Sequence, residues 1–438
     1  MVYFIALAVF VFAMFPFTQL YPLETYNQPY AIITGALFLV LVPMSLFQIP
    51  RYDRIALIYL ALIGLLMFFA EVPQGIDPRE LLYLISYLTP LLVVPPLFFV
   101  MRNRPAMARR LLSWAILAWV VVGAIQRFIS LTFLNFLVTQ SEDLSVNIAA
   151  SGRGVLGFAP EPTHHALHLV SMATALMLLR GNRIVVGLAI GAAVLLAGSS
   201  FAVLAIAAGT LIWALSAPLK RSWFFLLAIF GMLLSTFLPY ILSGDSRLVG
   251  LIDRALYSGT DVLISDASAN ARLSGIFLPI WETLSGGLLP SGISWQAWLE
   301  MRATILVENG WVFNLSEGGV ASGFGLIFVQ AGLFSIPIIL LFIKRFLVDF
   351  SNQQVGLLTA SAFFCFLGQL YLATPSFSIV YAALVYGLAE RRRAHMQMHQ
   401  MHQMQRAARR GHRRPAPDTP PHAPPAGQQA LPPTPQAS

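Results

Sequence analysis

Apolar runs of about 15 to 25 residues, parted by short polar turns, recur almost from end to end of this chain and leave it few possible folds. Wound as helix, about 20 such residues cover the roughly 30 Å of a bilayer's hydrocarbon core and satisfy their own backbone hydrogen bonds there. With 57% of its 438 residues hydrophobic and 11% charged, the chain carries more apolar surface than a water-soluble core of ordinary proportions takes up. The expected fold is an all-α polytopic membrane protein.

Spans are expected near 1–20, 30–49, 54–70, 81–101, 110–132, 164–180, 184–198, 200–217, 222–243, 319–343, 355–373 and 375–389, about twelve in all. Two of them, 184–198 and 375–389, are short and joined to a neighbour by Gly198-Ser199-Ser200 and Thr374-Pro375-Ser376, so either could be broken or re-entrant. Residues 1–20 lack a basic leading region and an Ala-x-Ala-like cleavage site, and read as a retained first helix. The single cysteine, Cys365, falls inside an apolar run, so no disulfide framework is expected.

Lysine and arginine collect in short cytoplasmic loops. With both termini inside, the cytoplasmic turns and the tail hold 20 of the 27 basic residues and only Asp53, Asp349, Glu390 and Asp418 among the 19 acidic ones. The net charge of +8 belongs almost wholly to residues 391–438, which carry eight arginines and one aspartate. That argues against nucleic acid as a partner. This Met/His/Gln-rich and then Pro/Ala-rich tail is expected to be a disordered basic segment near anionic lipid.

In this arrangement the division is 1–243, nine transmembrane helices with a small outer loop at 139–163; 244–318, one long outer loop between helices 9 and 10; 319–390, three closing helices; and 391–438, the tail. The inner turns are too short to build a site, so function is expected to face outward.

The three histidines outside the tail, His164, His165 and His168, stand together just after Arg153 and Glu161. If Pro162 starts a helix, Glu161 lies at its positive end, and His164 and His168 fall one turn apart on one face. Such a group could take a proton from a hydroxyl or hydrogen-bond a phosphate. Equally, Glu161 could cap the helix while the histidines pair with backbone or water. No metal is expected, because Glu-x-x-His occurs once where helical di-metal bundles use two copies.

The long loop offers Arg247, Arg254, Arg272 and Arg302, eight carboxylates and no lysine, a composition suited to forked contacts with phosphate oxygens. Its tryptophans, Trp281, Trp295, Trp298 and Trp311, read as membrane-interface anchors or as sugar platforms. Arg127, at the outer end of the fifth span beside Gln126, either meets a lipid pyrophosphate or snorkels to the headgroups.

Three runs, in order, resemble the bacterial O-antigen and exopolysaccharide polymerase and O-antigen ligase superfamily. Glu161-Pro162-Thr163 opening a helix after a Gly-rich outer segment is similar to the Glu-Pro-Ser run of exopolysaccharide polymerases. Leu196-Ala197-Gly198-Ser199-Ser200-Phe201-Ala202 resembles the family's Ser-Gly-Ser-Arg turn, with Phe201 where many members have arginine. Ser268-Ala269-Asn270-Ala271-Arg272, then Gly286-Gly287-Leu288-Leu289-Pro290-Ser291-Gly292, then Glu308-Asn309-Gly310 and Glu317-Gly318-Gly319, resemble the loop progression, with Glu308 where many members have histidine.

The resemblance implies a bacterial inner-membrane enzyme without a cofactor. It would transfer a growing glycan from undecaprenyl pyrophosphate to a lipid-linked repeat unit at the periplasmic face, beside membrane lipid and alongside a flippase and a chain-length regulator. Arg272 would hold the pyrophosphate, helped by Arg153, Arg302 and Arg127. Glu161, His164 or His165 would serve the acceptor, and Glu308, Asn309 and Glu317 would line the substrate. The departure at Glu308 favours the polymerase branch over the ligase branch. A transporter or flippase of lipid-linked oligosaccharide is the rival of a different class, although it would call for charges along a path through the spans.

Overall fold

The computed structural model describes residues 1–21, 27–75, 77–138, 154–216, 267–309, 320, 322–368 and 371–411. Every regular element among them is helical. Helix α1 spans Val2–Met14, α2 Tyr30–Leu41, α3 Arg51–Glu71, α4 Pro78–Asn103 and α5 Pro105–Phe128. Then come α6 (Pro162–Leu178), α7 (Arg183–Leu195), α8 (Ser200–Ser216), α9 (Ala267–Ser285) and α10 (Trp295–Asn309). The closing elements are α11 (Gly323–Ala331), α12 (Ile336–Ile343), α13 (Val355–Gly368) and α14 (Pro375–Gly411). The expected span 222–243 lies outside the described residues.

Local chemistry fixes many of the starts. Proline opens α4, α5, α6 and α14, where its missing N–H would have had no intrahelical partner. Asp77 and Glu80 form a reciprocal capping box at α4, and the Asn182 side chain accepts the Ile184 N–H at α7.

Among the described residues, four helical stretches are long and apolar enough to cross a membrane, Arg51–Glu71, Pro78–Asn103, Pro105–Phe128 and Gly323–Val348, as suits a membrane protein. The fourth is not one straight rod. An unbroken helix would hold Phe324 and Phe342 about 27 Å apart, yet their ring centroids lie 5.4 Å apart. The chain folds back at Gly332, whose φ of +52° and ψ of −130° leave the helical region, so the expected single span 319–343 is a helical hairpin. The apex is held from outside: the Leu333 N–H donates to the Leu288 carbonyl, and Ser291 and Gly292 donate to the carbonyls of Val329 and Gln330. Below the apex, Tyr87 donates to Gln330 and Tyr59 to the Phe334 carbonyl, which seats the hairpin on α3 and α4. The Gly286–Gly292 run is thus the clasp of this hairpin.

A side chain at Gly332 has no room, because a Cβ there would lie 2.4 Å from the Leu288 oxygen. Gly332→Val combines that collision with a backbone β-branched residues avoid. The expected outcome is loss of monodisperse protein in detergent gel filtration; a wild-type elution profile would refute the hairpin apex.

Where the hairpin ends, a π-helical turn, Lys344–Val348, turns Arg345 inward. Its guanidinium donates through Nε and Nη2 to the two oxygens of Asp53 on α3, both at 2.8 Å, and through Nη1 to Asp349 at 2.6 Å. The Tyr381 hydroxyl of α14 also donates to Asp53 at 2.9 Å. Asp53 and Arg345, placed by the sequence in cytoplasmic turns, are a buried pair that ties three helices together.

The other correction concerns the tail. Residues 391–411, expected to be disordered, continue α14 as helix. Up to Arg410 the stretch is built of Arg, Ala, Met, Gln and His without proline or a β-branched residue, so helix propensity prevails over its low apolar content.

Candidate functional site

The end of the bundle that carries Glu71, Glu80 and Glu161 is the one expected to be periplasmic. Its centre is the start of α6. Glu161 occupies the N-cap position with extended backbone (φ −141°, ψ 150°), yet its side chain accepts no capping hydrogen bond. The carboxylate stands at the positive helix end, 36% exposed, with Oε2 4.0 Å from Nδ1 of His164. It therefore stands beside His164 without capping the helix. His164 is 13% exposed and meets the Phe17 ring edge-on.

The other two histidines are fully buried. His168 donates from Nε2 to the Met14 carbonyl at 2.9 Å and accepts the Ser376 hydroxyl at Nδ1 at 2.6 Å. Because the Trp119 indole N–H donates to the same carbonyl, the end of α1, the middle of α5, α6 and the start of α14 are pinned at one point. His165 donates from Nδ1 to the Val155 carbonyl at 3.2 Å. Its ring fills the slot beside Gly123 and Gly157, where an added Cβ would come within 2.9 Å and 2.8 Å of it. Gly157, with φ +60°, is thus a glycine on two counts. Of the three, His164 is the one a molecule from outside can reach.

The segment leading into Glu161 is positioned by a residue that the sequence reading passed over. Gln126 of α5 is buried, and it accepts the Gly157 N–H at 2.6 Å while donating to the carbonyls of Gly157 and Phe133 and to Asn135. Its neighbour Arg127 is exposed in the last turn of α5, the position of a snorkelling arginine. The Val155 N–H donates to the Leu196 carbonyl at 3.1 Å, so the Gly-rich segment ahead of the first sequence run is hydrogen-bonded to the start of the second.

The long-loop half of the rim is built on α4. Glu80 accepts the Trp295 N–H at 3.2 Å, the Arg79 guanidinium lies 4.0 Å over the Trp295 ring, and Gly292 sits against the Glu71 carboxylate. Trp298 is buried with Val320, Leu326 and Val329, against which Tyr83 and Tyr371 also pack. Trp298 is therefore a core residue and Trp295 an arginine's stacking partner, while Trp281 is exposed, as an anchor or platform requires. Trp311 lies outside the described residues.

Tyr371, in the connection between α13 and α14, joins the two halves. Burial and the nearby Glu161 carboxylate push its phenol up to about 12, so near neutral pH it is a hydrogen-bond donor, not a base. It packs on the Trp298 cluster and lies near enough to Glu161 to feel its charge, so it stands between residues of both loops. No sequence run singled it out.

Arg272 lies on α9, and Glu308 and Asn309 close α10, each placed by the backbone; Arg302, half-buried, is two turns into α10. Arg153 and Glu317 lie outside the described residues, as do Arg247 and Arg254. Among the described residues no three His, Cys, Asp or Glu side chains converge as metal ligands. No protein-family model matches the chain, and no curated protein matches it.

Proposed function

We propose that this chain is a membrane glycan polymerase of the periplasmic face, moving a growing glycan from undecaprenyl pyrophosphate to a lipid-linked repeat unit. The observation that carries the reading is Glu161: a carboxylate at a helix N-terminus, uncommitted to capping, beside the accessible one of the three clustered histidines and near Tyr371, which packs against α10. In the reaction Glu161, oriented by His164, takes the proton of the acceptor hydroxyl as its oxygen attacks the anomeric carbon of the donor. The bond to the pyrophosphate breaks and its electron pair leaves with the phosphate oxygen. Arg272, helped by Arg302, stabilises that leaving charge. Tyr371, protonated, donates to a sugar or phosphate oxygen beside Glu161.

Two substitutions test this. Arg272→Ala, in protein that still inserts, should leave cells with single lipid-linked repeats and no long polymer, and Glu161→Gln should do the same. Wild-type polymer length ladders in both variants would end the proposal. Transfer of glycan to a lipid A core would point to the ligase branch instead.

A transporter of lipid-linked oligosaccharide has one observation in its favour, the Arg345–Asp53 pair buried beside a hairpin helix. The pair is closed on itself by two mutual hydrogen bonds, which suits a fastener better than a path. Polymer formation by purified protein in detergent, where nothing needs crossing, separates the two readings.

A further inference from the structure

Helix α14 carries a second, independent feature beyond Ala389. From His395 to Met404 the sequence is His-Met-Gln-Met-His-Gln-Met-His-Gln-Met, so three of the chain's eight histidines and four of its 14 methionines fall in ten residues. All ten positions are helical and exposed, with Met396, Met398, Met401 and Met404 between 50% and 69% exposed. Four thioethers held out on a helix surface bury nothing, so packing does not account for them.

Helical spacing accounts for them as donors. His395, Met398 and His399 stand at i, i+3 and i+4, within an arc of roughly 100° and with neighbouring Cβ atoms about 5–6 Å apart. Met401 and His402 extend the same edge by one turn, while Met404 falls on the opposite side. Imidazole and thioether together choose soft or borderline ions over magnesium or calcium, which want oxygen. Charge narrows the choice further. Between residues 391 and 410 there are six arginines and no carboxylate, a setting that opposes a dication more than a monocation.

We infer that the exposed face of α14 holds one Cu(I) ion between the imidazoles of His395 and His399 and the thioether of Met398. His402 and Met401 are the adjoining donors. The inference does not rest on the glycan reading.

The test uses the full-length protein in detergent, purified without a histidine tag, and titrated anaerobically with Cu(I) against a chromophoric Cu(I) chelator. The expected result is one tightly held equivalent, bound roughly tenfold or more weakly by His395→Ala/His399→Ala and by Met398→Leu, and unchanged by Met404→Leu. These are exposed helix positions given strong helix formers, so the fold survives the changes. The inference is overturned if both ligand variants bind as the wild type does. It is equally overturned if Met404→Leu costs as much as Met398→Leu, or if Zn(II) displaces Cu(I) at equal concentration.

Discussion

Asp53→Ala will destabilise the bundle by about 3–5 kcal/mol, the range for breaking a buried ion pair by removing one partner. Three donors lose their acceptor at once: the Nε and Nη2 hydrogens of Arg345 and the Tyr381 hydroxyl. Asp349 cannot compensate, because it already accepts Nη1 and sits at the wetter edge, 15% exposed against 1% for Asp53. Asp349→Ala should therefore cost distinctly less, since water reaches the guanidinium hydrogen it frees. Removing the three buried polar partners together, as Asp53→Leu/Arg345→Met/Tyr381→Phe, should recover most of the loss, because the one charge that loses its guanidinium, Asp349, sits at the wetter edge. Thermal unfolding in detergent micelles reads all three. If Asp349→Ala matches Asp53→Ala, or the triple variant is the least stable, the pair is not the fastener described.

The contrast between that network and its sequence shows where sequence reading succeeds and where it stops. Features set by neighbours in the chain were legible: Pro162 opening a helix with Glu161 ahead of it, the tight turn Gly198-Ser199-Ser200 after the short α7, and apolar runs of helical length. What was not legible depends on partners far apart in sequence. Asp53 and Arg345 are 292 residues apart, and each alone looks like an ordinary charge in a cytoplasmic turn. The fold-back at Gly332 is equally hidden, since a glycine inside an apolar run is common in membrane helices and its partner carbonyl, Leu288, belongs to another loop.

The site follows the same division. His164, His165 and His168 were marked as a group because composition clusters them, but composition says nothing of depth. Only the positions of Met14, Ser376 and Val155 reveal that two of the three are held by hydrogen bonds inside the bundle. Tyr371 and Gln126 escaped notice for the converse reason. A tyrosine in a turn and a glutamine beside a conspicuous arginine carry no motif, and their roles come entirely from what the fold sets next to them.

Gln126 gives the sharpest functional consequence. Gln126→Leu keeps much of the side-chain volume but deprives the buried Gly157 N–H of its acceptor and the carbonyls of Gly157 and Phe133 of a donor. At about 1–3 kcal/mol for a buried polar group left unsatisfied, and with some relief from relaxation, the expected cost is roughly 2–5 kcal/mol. Arg127→Leu, one residue on, changes an exposed side chain and should stay within about 0.5 kcal/mol. The order is the reverse of what charge at membrane depth suggests. The Gln126 variant should also lose polymer at temperatures where it is still folded. The segment 154–160 that carries Glu161 to the helix start hangs on Gly157, and a shift of about 1 Å at a reacting group costs on the order of a hundredfold in rate. Unfolding midpoints of the two variants, measured alongside polymer length ladders at a permissive temperature, decide the matter. Equal midpoints, or a full ladder from Gln126→Leu, would show that Glu161 is positioned by something other than this glutamine.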